Sequence, residues 1–403
     1  MLVVSNSSWT CPFCALHCDD LNAPKLNNKK ILNANECLKA SAGLSRFDFK
    51  SKEKKFGYLY GEKEITENVI IETSKVLSSS RSPFFGGLGL DILGSRSVIK
   101  LAKECNATID HMHGDSISAV LKSFQAKGTI FTTLSEIKSR ADLIIFLKSE
   151  PNERLPRFSE LINLRNKKSW IIKAKSISNV TSCNLSFLEG MRSILYSLRS
   201  SVSSPDLDGD HELVNLVRNS SYCTFVWDPQ EFGELSEYIA NTLMEIAKEI
   251  NQKKRAGILT LGSDNGGLSF QNTLSWMTAK SIRSKFSTKS LHYQPELFSL
   301  KCCLELKTVD SIFWFSSFCD KLPDENVLNY PFVAIGPEST GKKYSKFFKE
   351  NKNSIFIPIA TPGVNTNGYI IRCDGAAVIP LRQLVDDNIH TVEKLISQII
   401  NNM

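Results

Sequence analysis

Cys11-Pro12-Phe13-Cys14-Ala15-Leu16-His17-Cys18, followed after sixteen residues by Asn35-Glu36-Cys37, is the stretch whose reading decides the fold. Four of the eleven cysteines fall in the first tenth of the chain, and the other seven are scattered with no comparable spacing. Three thiolates at C-x2-C-x3-C can reach three corners of one compact site, and a fourth from a later turn closes it. Four thiolates suit a 4Fe–4S cluster or a Zn2+ ion. Zinc sites commonly pair two C-x2-C halves, and only one such half is present, which favours iron–sulfur. The alternative is a degenerate site whose thiols are retained but unfilled. Cys11, Cys14, Cys18 and Cys37 are thus the candidate metal ligands.

A chain of 403 residues exceeds one ordinary domain, and 42% hydrophobic with 23% charged residues is ordinary for a soluble globular protein. No run of about eighteen apolar residues is available to span a membrane. Nothing at the N-terminus has the form of an export signal, and thiol-rich chains without one belong to a reducing cytoplasm, where clustered cysteines read as metal ligands. The net charge of +7 is spread rather than blocked, which is too dilute to argue for nucleic acid. An electropositive face toward an anionic ligand or an acidic partner stays open.

Beyond residues 1–50, expected to be a cysteine-rich iron–sulfur-type module, comes a basic linker (Lys50, Lys52, Lys54, Lys55) and an aromatic patch, Phe56 to Tyr60. Apolar spacing over Ile65–Leu77 predicts a helix with Thr66 as N-cap. Buried strands are predicted at Pro83–Leu90, Asp142–Leu147, Trp170–Ala174, Cys223–Trp227, Gly257–Leu261, Ser311–Phe315, Phe332–Ile335 and Ser354–Ile359. Helices are predicted through Leu235–Ile250 and Thr391–Ile400, and a surface loop at Ser200–Asp210. Alternating strands and helices imply an α/β fold of parallel sheets covered on both faces, with residues 51–403 forming two lobes, about 110–250 making one of them.

Three other motifs have bland readings that outweigh the functional ones. Gly86, Gly87, Gly89 and Gly94 could admit a phosphate near a helix start, with Asp110 at the distance of a ribose-binding acid, but the spacing departs from G-x-G-x-x-G and packing glycines fit better. Gly336-Pro-Glu-Ser-Thr-Gly341-Lys342-Lys343 nearly matches a P-loop, yet Lys343 occupies the place of the metal-binding hydroxyl and Pro337 removes a backbone donor. His111 and His113, with Asp110 and Asp115, lack a further ligand at useful spacing, so a polar loop is expected. The adjacent Cys302 and Cys303 read as small buried hydrophobes.

The cysteine stretch, together with Asp19-Asp20-Leu21, resembles the B subunit of formylmethanofuran dehydrogenases, relatives of molybdopterin formate dehydrogenases. Asn152, Pro156-Arg157, the stretch Asn265 to Leu274, and Ile357 to Asp374 extend the likeness over the whole chain. The resemblance implies a molybdopterin-oxidoreductase-like fold. One departure changes the function it implies. Redox members carry a metal-ligating cysteine in a turn before a helix, and here that position falls at or near Ile92, with no cysteine between Cys37 and Cys105. Isoleucine offers no lone pair, so no catalytic residue and no functional molybdopterin or tungstopterin is expected. The sequence then looks like the B subunit of the bacterial formyltransferase/hydrolase complex. That implies a non-redox structural subunit working with amidohydrolase-like and formyltransferase subunits and a methanofuran-type carrier. The other reading is an active redox subunit with tungsto- or molybdopterin.

Overall fold

The computed structural model describes residues 8–22, 25–27, 30–32, 37–47, 55–173, 180–200, 210–262, 264–288 and 290–403. They fall into two compact units. One comprises Met1–Gly114, Ser263–Arg372 and Ala377–Met403; the other comprises Asp115–Gly262 and Cys373–Ala376.

The first unit is built on a nine-stranded sheet. In spatial order its strands are Leu291–Tyr293, Ser284–Phe286, Thr108–Ile109, Pro83–Gly89, Ser311–Ser316, Phe332–Gly336, Ser354–Pro358, Phe56–Leu59 and Glu62–Ile65. The five central strands are parallel, and those from Pro83, Ser311, Phe332 and Ser354 are buried at every residue, as a sheet covered on both faces requires. Side-chain alternation divides the core. Phe84, Ile312, Trp314, Phe332 and Phe356 meet Leu300, Cys303 and Phe348 on one face. Phe85 contacts Phe313 and Phe315 on the other, with ring centroids 5.4 Å apart in both cases. Helices Thr66–Ser79, Ile92–Glu104, Gly267–Thr278 and Val392–Asn401 pack against one another around this sheet.

The sheet departs from the all-parallel expectation at its margins, where antiparallel hairpins close both sides. Short charged edge strands such as Glu62-Lys63-Glu64-Ile65 blunt an edge that would otherwise pair with other chains. Thr66 does not cap its helix. Ile65 holds the N-cap position, and the Thr66 hydroxyl donates to the Lys55 carbonyl instead. Of the expected basic linker and the Ser200–Asp210 loop, residues 48–54 and 201–209 lie outside the described residues.

The second unit carries four strands in the order Lys168–Ile172, Leu143–Leu147, Tyr222–Trp227, Arg255–Thr260, all parallel. The Lys168 strand starts and ends two residues before the expected Trp170–Ala174. Its core joins Ile145, Cys223 and Phe225 to Phe187 and Met191 of helix Val180–Arg199 and to Leu243 and Ile246 of helix Ser236–Asn251. No helix among the described residues is long and apolar enough to cross a membrane.

Phe225 is 1% exposed at the centre of this second core. Phe225→Ala is expected to cost about 3–5 kcal/mol, read as a shifted urea midpoint in the transition that reports on this unit.

Candidate metal centre

The cysteine loop is closed on itself by the Cys11 amide donating to the Cys18 carbonyl (3.0 Å) and the His17 amide donating to the Cys14 carbonyl (3.1 Å). His17 takes φ of +44°, the left-handed turn that reverses the chain before Cys18. Two anchors fix the loop. Trp9 Nε1 donates to the Gly363 carbonyl at 2.7 Å, and the Phe13 ring lies so close to Gly43 that a Cβ there would stand 2.2 Å from it. Gly43 belongs to the helix Leu38–Leu44, whose N-cap position is Cys37, so the Phe13–Gly43 contact brings the fourth cysteine to the first three.

All four thiols are buried, between 3% and 8% exposed. Burial raises the Cys11 thiol well above its ordinary range, and the other three cysteines add to that, while the Phe13 amide opposes it. Burial likewise pushes Cys14 up to about 12, opposed by the Leu16 amide and reinforced by Cys18, Cys37 and Asp264. Burial also holds His17 neutral, down to about 4, with Asp264 and Arg372 acting in opposite senses. Without a cation the Cys11 and Cys14 thiols therefore stay protonated. A bound metal would displace those protons, and amides directed at sulfur are the groups that tune thiolate clusters. The donor set fits a four-thiolate group. Among the described residues, however, no three Cys, His, Asp or Glu side chains stand close enough for a single ion.

Two other stretches of the resemblance, residues 265–274 and 357–372, lie in the first unit and meet around the Ile92 helix. Asn265 (φ +55°) and Gly266 (φ +78°) press their backbone on Leu90, where a Cβ on Gly266 would lie 2.3 Å from the Leu90 carbonyl oxygen. Ser269 Oγ accepts the Ile371 amide at 2.9 Å. Between them stands Asp91, which the sequence motifs do not single out. It precedes half-buried Ile92, the first residue of helix Ile92–Glu104, and is itself 2% exposed. Its carboxylate accepts from the amides of Gly94 (3.0 Å), Leu93 (3.4 Å) and Tyr369 (3.2 Å), capping the helix and tying the closing stretch to it. Gly368 permits that approach, since a Cβ there would lie 2.6 Å from Asp91 Oδ2. An Asp just ahead of an apolar helical pattern was the available signal.

The remaining candidates separate from this site. Asp110 is committed to a buried ion pair with Arg283 (Nε to Oδ2, 3.3 Å) and accepts the His111 amide, so it is no ribose acid; Arg283 had no sequence signal. His111 Nδ1 accepts the His113 amide at 3.0 Å, and burial lowers its ionisation well below the usual range. The near P-loop is occupied by its own side chains: Ser339 and Thr340 donate to Asp320, and Glu338 pairs with Lys55 and Lys342. Gly86 and Gly87 are packing glycines, against Trp314 and the Phe315 backbone. Cys105 ends the helix Ile92–Glu104, far along from Ile92, and Cys303 is a core residue. Asn152 and Arg157 follow the Leu143–Leu147 strand in the second unit, where Asn152 Oδ1 accepts from Ser159 and Arg157 pairs with Glu160.

The chain is similar to known proteins over most of its length. The chain is 23% identical to the B subunit of the tungsten-containing formylmethanofuran dehydrogenase 2 of Methanocaldococcus jannaschii, over 93% of both chains. It is 22% identical to the B subunit of the formyltransferase/hydrolase complex Fhc of Methylorubrum extorquens, over 73% of this chain and 82% of the relative. The chain is a homologue of both. It also shares the fold of a chain in the crystal structure of the Methylorubrum extorquens complex FhcABCD with methylofuran. The TM-score is 0.71 at 18% identity, covering 86% of this chain and 98% of that one. No family model matches.

Asp91 makes a pH-dependent contribution that can be checked. Burial raises its carboxyl to about 6 from 3.8, against the three amides, with Glu393 adding to the rise. A raised acid favours the folded state when protonated. Its contribution is therefore complete below 3.8 and lost as pH climbs through about 6. Asp91→Asn should flatten the fall in stability across that window in denaturation series. Asp91→Ala should cost about 1–3 kcal/mol at any pH through the lost cap and the unpaired Tyr369 amide.

Proposed function

We propose that this chain is a non-redox, structural B subunit of a formyltransferase/hydrolase complex acting on one-carbon units carried by tetrahydromethanopterin and a methanofuran-type carrier. The observation that carries the reading is a pairing of likeness and loss. The chain aligns with B subunits over most of its length, yet the helix that the resemblance sets at or near the metal-ligating position opens with Asp91-Ile92 and holds no cysteine there. An isoleucine side chain offers no lone pair to a metal, and the Asp91 carboxylate is engaged by three backbone amides. In this reading the fold is of the molybdopterin-oxidoreductase type, the chain works in the cytoplasm, and the chemistry belongs to amidohydrolase-like and formyltransferase partners.

Cys11, Cys14, Cys18 and Cys37 would hold a 4Fe–4S cluster. Such a cluster supplies one-electron transfer where a redox centre is near, and folding free energy where none is. The chain's own part is to place four buried sulfurs and aim the Phe13 and Leu16 amides at two of them.

Purification of the native complex with metal analysis tests the first claim. Companion transferase and hydrolase subunits with no tungsten, molybdenum or pterin are the expected outcome. The match to a tungsten-containing relative keeps one rival, an active redox subunit; stoichiometric tungsten with dye-linked formate oxidation would establish it instead.

The cluster is tested separately. Anaerobically purified protein should carry iron and a visible chromophore, and Cys11→Ala should lose both and melt earlier. Unchanged iron content and melting temperature in that variant would mark the four thiols as relics.

A further inference from the structure

The net charge of +7 looks evenly spread along the chain, but the second unit gathers basic residues on one edge. Its four parallel strands begin in a row: Lys168 stands beside Leu143, Leu143 beside Cys223, and Tyr222 beside Arg255. The loops leading into those strands therefore share one side of the sheet. They contribute Lys138, Arg140, Arg165, Lys167, Lys168, Arg218, Lys253, Lys254 and Arg255, nine basic side chains against two acidic ones, Glu136 and Asp142. Hydrogen bonds link loop to loop along the edge. Lys167 Nζ donates to the Ala141 carbonyl (2.6 Å), and the Asp142 carboxylate accepts from the amides of Ser221 (2.7 Å) and Tyr222 (2.9 Å). Lys254 Nζ donates to the carbonyls of Arg218 and Ser220.

Part of this charge has an internal explanation. Helices end on this edge, and their last carbonyls attract cations. Lys167 and Lys254 serve main-chain carbonyls as described, and Arg218 donates to those of Ser197 (2.9 Å) and Ser200 (3.2 Å). Arg255 faces Glu136 at 3.6 Å and lies over the Tyr222 ring. Asp142 is saturated by its two amides. Lys138, Arg140, Arg165, Lys168 and Lys253 remain, all exposed and with no side-chain hydrogen bond or ion pair among the described residues. Five like charges on one rigid edge raise the local potential, and a complementary row of anions relieves it.

We propose that this edge of the second unit is a docking surface for an acid-rich segment of another protein. Carboxylates fit better than a nucleic-acid backbone for two reasons. Single strands are gripped by exposed aromatic platforms between the cations, and the aromatic ring here, Tyr222, is buried beneath Arg255. Asp142 and Glu136 also interrupt the cationic row; an unbroken phosphate chain would meet them as repulsion, whereas a protein segment can place an uncharged or basic residue opposite.

The test uses the full chain and two labelled probes, a short Glu-rich peptide and a single-stranded oligonucleotide of equal charge, read by fluorescence anisotropy over a salt series. The peptide should bind and weaken as salt rises. Arg165→Glu/Lys168→Glu/Lys253→Glu should weaken it about tenfold or more. Lys75→Glu/Lys301→Glu/Lys346→Glu, the same charge change at exposed sites of the first unit, should leave it nearly unchanged. If the reversed triple fails to fold, Arg165→Gln/Lys168→Gln/Lys253→Gln replaces it, with several-fold weakening expected. No peptide binding, or equal loss in both triples, overturns the proposal. So does tighter retention of the oligonucleotide through the same three residues.

Discussion

Parallel pairing of strands is the constraint on which most of this molecule depends. It sends every strand of a sheet in one direction, so the loops entering the strands collect on one edge and the loops leaving them on the other. Residues remote in sequence then become neighbours by register alone. In the second unit this gathers Arg140, Lys168, Arg218 and Arg255 at the entering edge. In the first unit the stretches leaving the Pro83 and Thr108 strands carry Asp91 and Asp110, each of which is then fixed by a partner that arrives from beyond residue 280. Parallel strands are also buried on both faces, which is why their sequences read as continuous apolar runs.

That burial explains which parts of the fold were legible. Leu143-Ile-Ile-Phe-Leu147 and Ser311-Ile-Phe-Trp-Phe-Ser316 announce themselves because no polar residue interrupts their cores. The marginal hairpins do not. Ser284-Lys-Phe286 and Leu291-His-Tyr293 are three residues each, too short for alternation to register, and their assignment depends on pairing with each other and, for the first, with the Thr108 strand. Capping failed for a similar reason at Thr66: its hydroxyl has a competing acceptor in Lys55, adjacent only through the hairpin turn. The charge distribution was invisible as well, since four loops separated by tens of residues carry it.

At the candidate metal centre the sequence names the four sulfurs but not their environment. Spacing shows that Cys11, Cys14 and Cys18 can share a site. It cannot show that Phe13 seats on Gly43 and so places Cys37, nor that Asp264 and Arg372 flank His17. Those are long-range contacts, and burial, more than any one neighbour, raises the Cys11 and Cys14 thiols. A buried sulfur surrounded by other sulfurs and a carboxylate is poorly suited to be a thiolate by itself, and becomes one only when a cation compensates.

Asp91 shows how one buried carboxyl can tie the start of a helix to a remote strand. A thiolate at the turn before the Ile92 helix would need a metal for charge compensation, whereas a carboxylate one residue earlier is compensated by three backbone amides at once. Two of those amides belong to the helix, and the third belongs to Tyr369 on the closing hairpin. The turn is thereby joined to an element nearly three hundred residues away. Burial still strains the carboxyl, since its proton is held to about 6, even though the three amides favour its charged form. Such an arrangement costs some stability at neutral pH, and it keeps the turn and the closing hairpin in register.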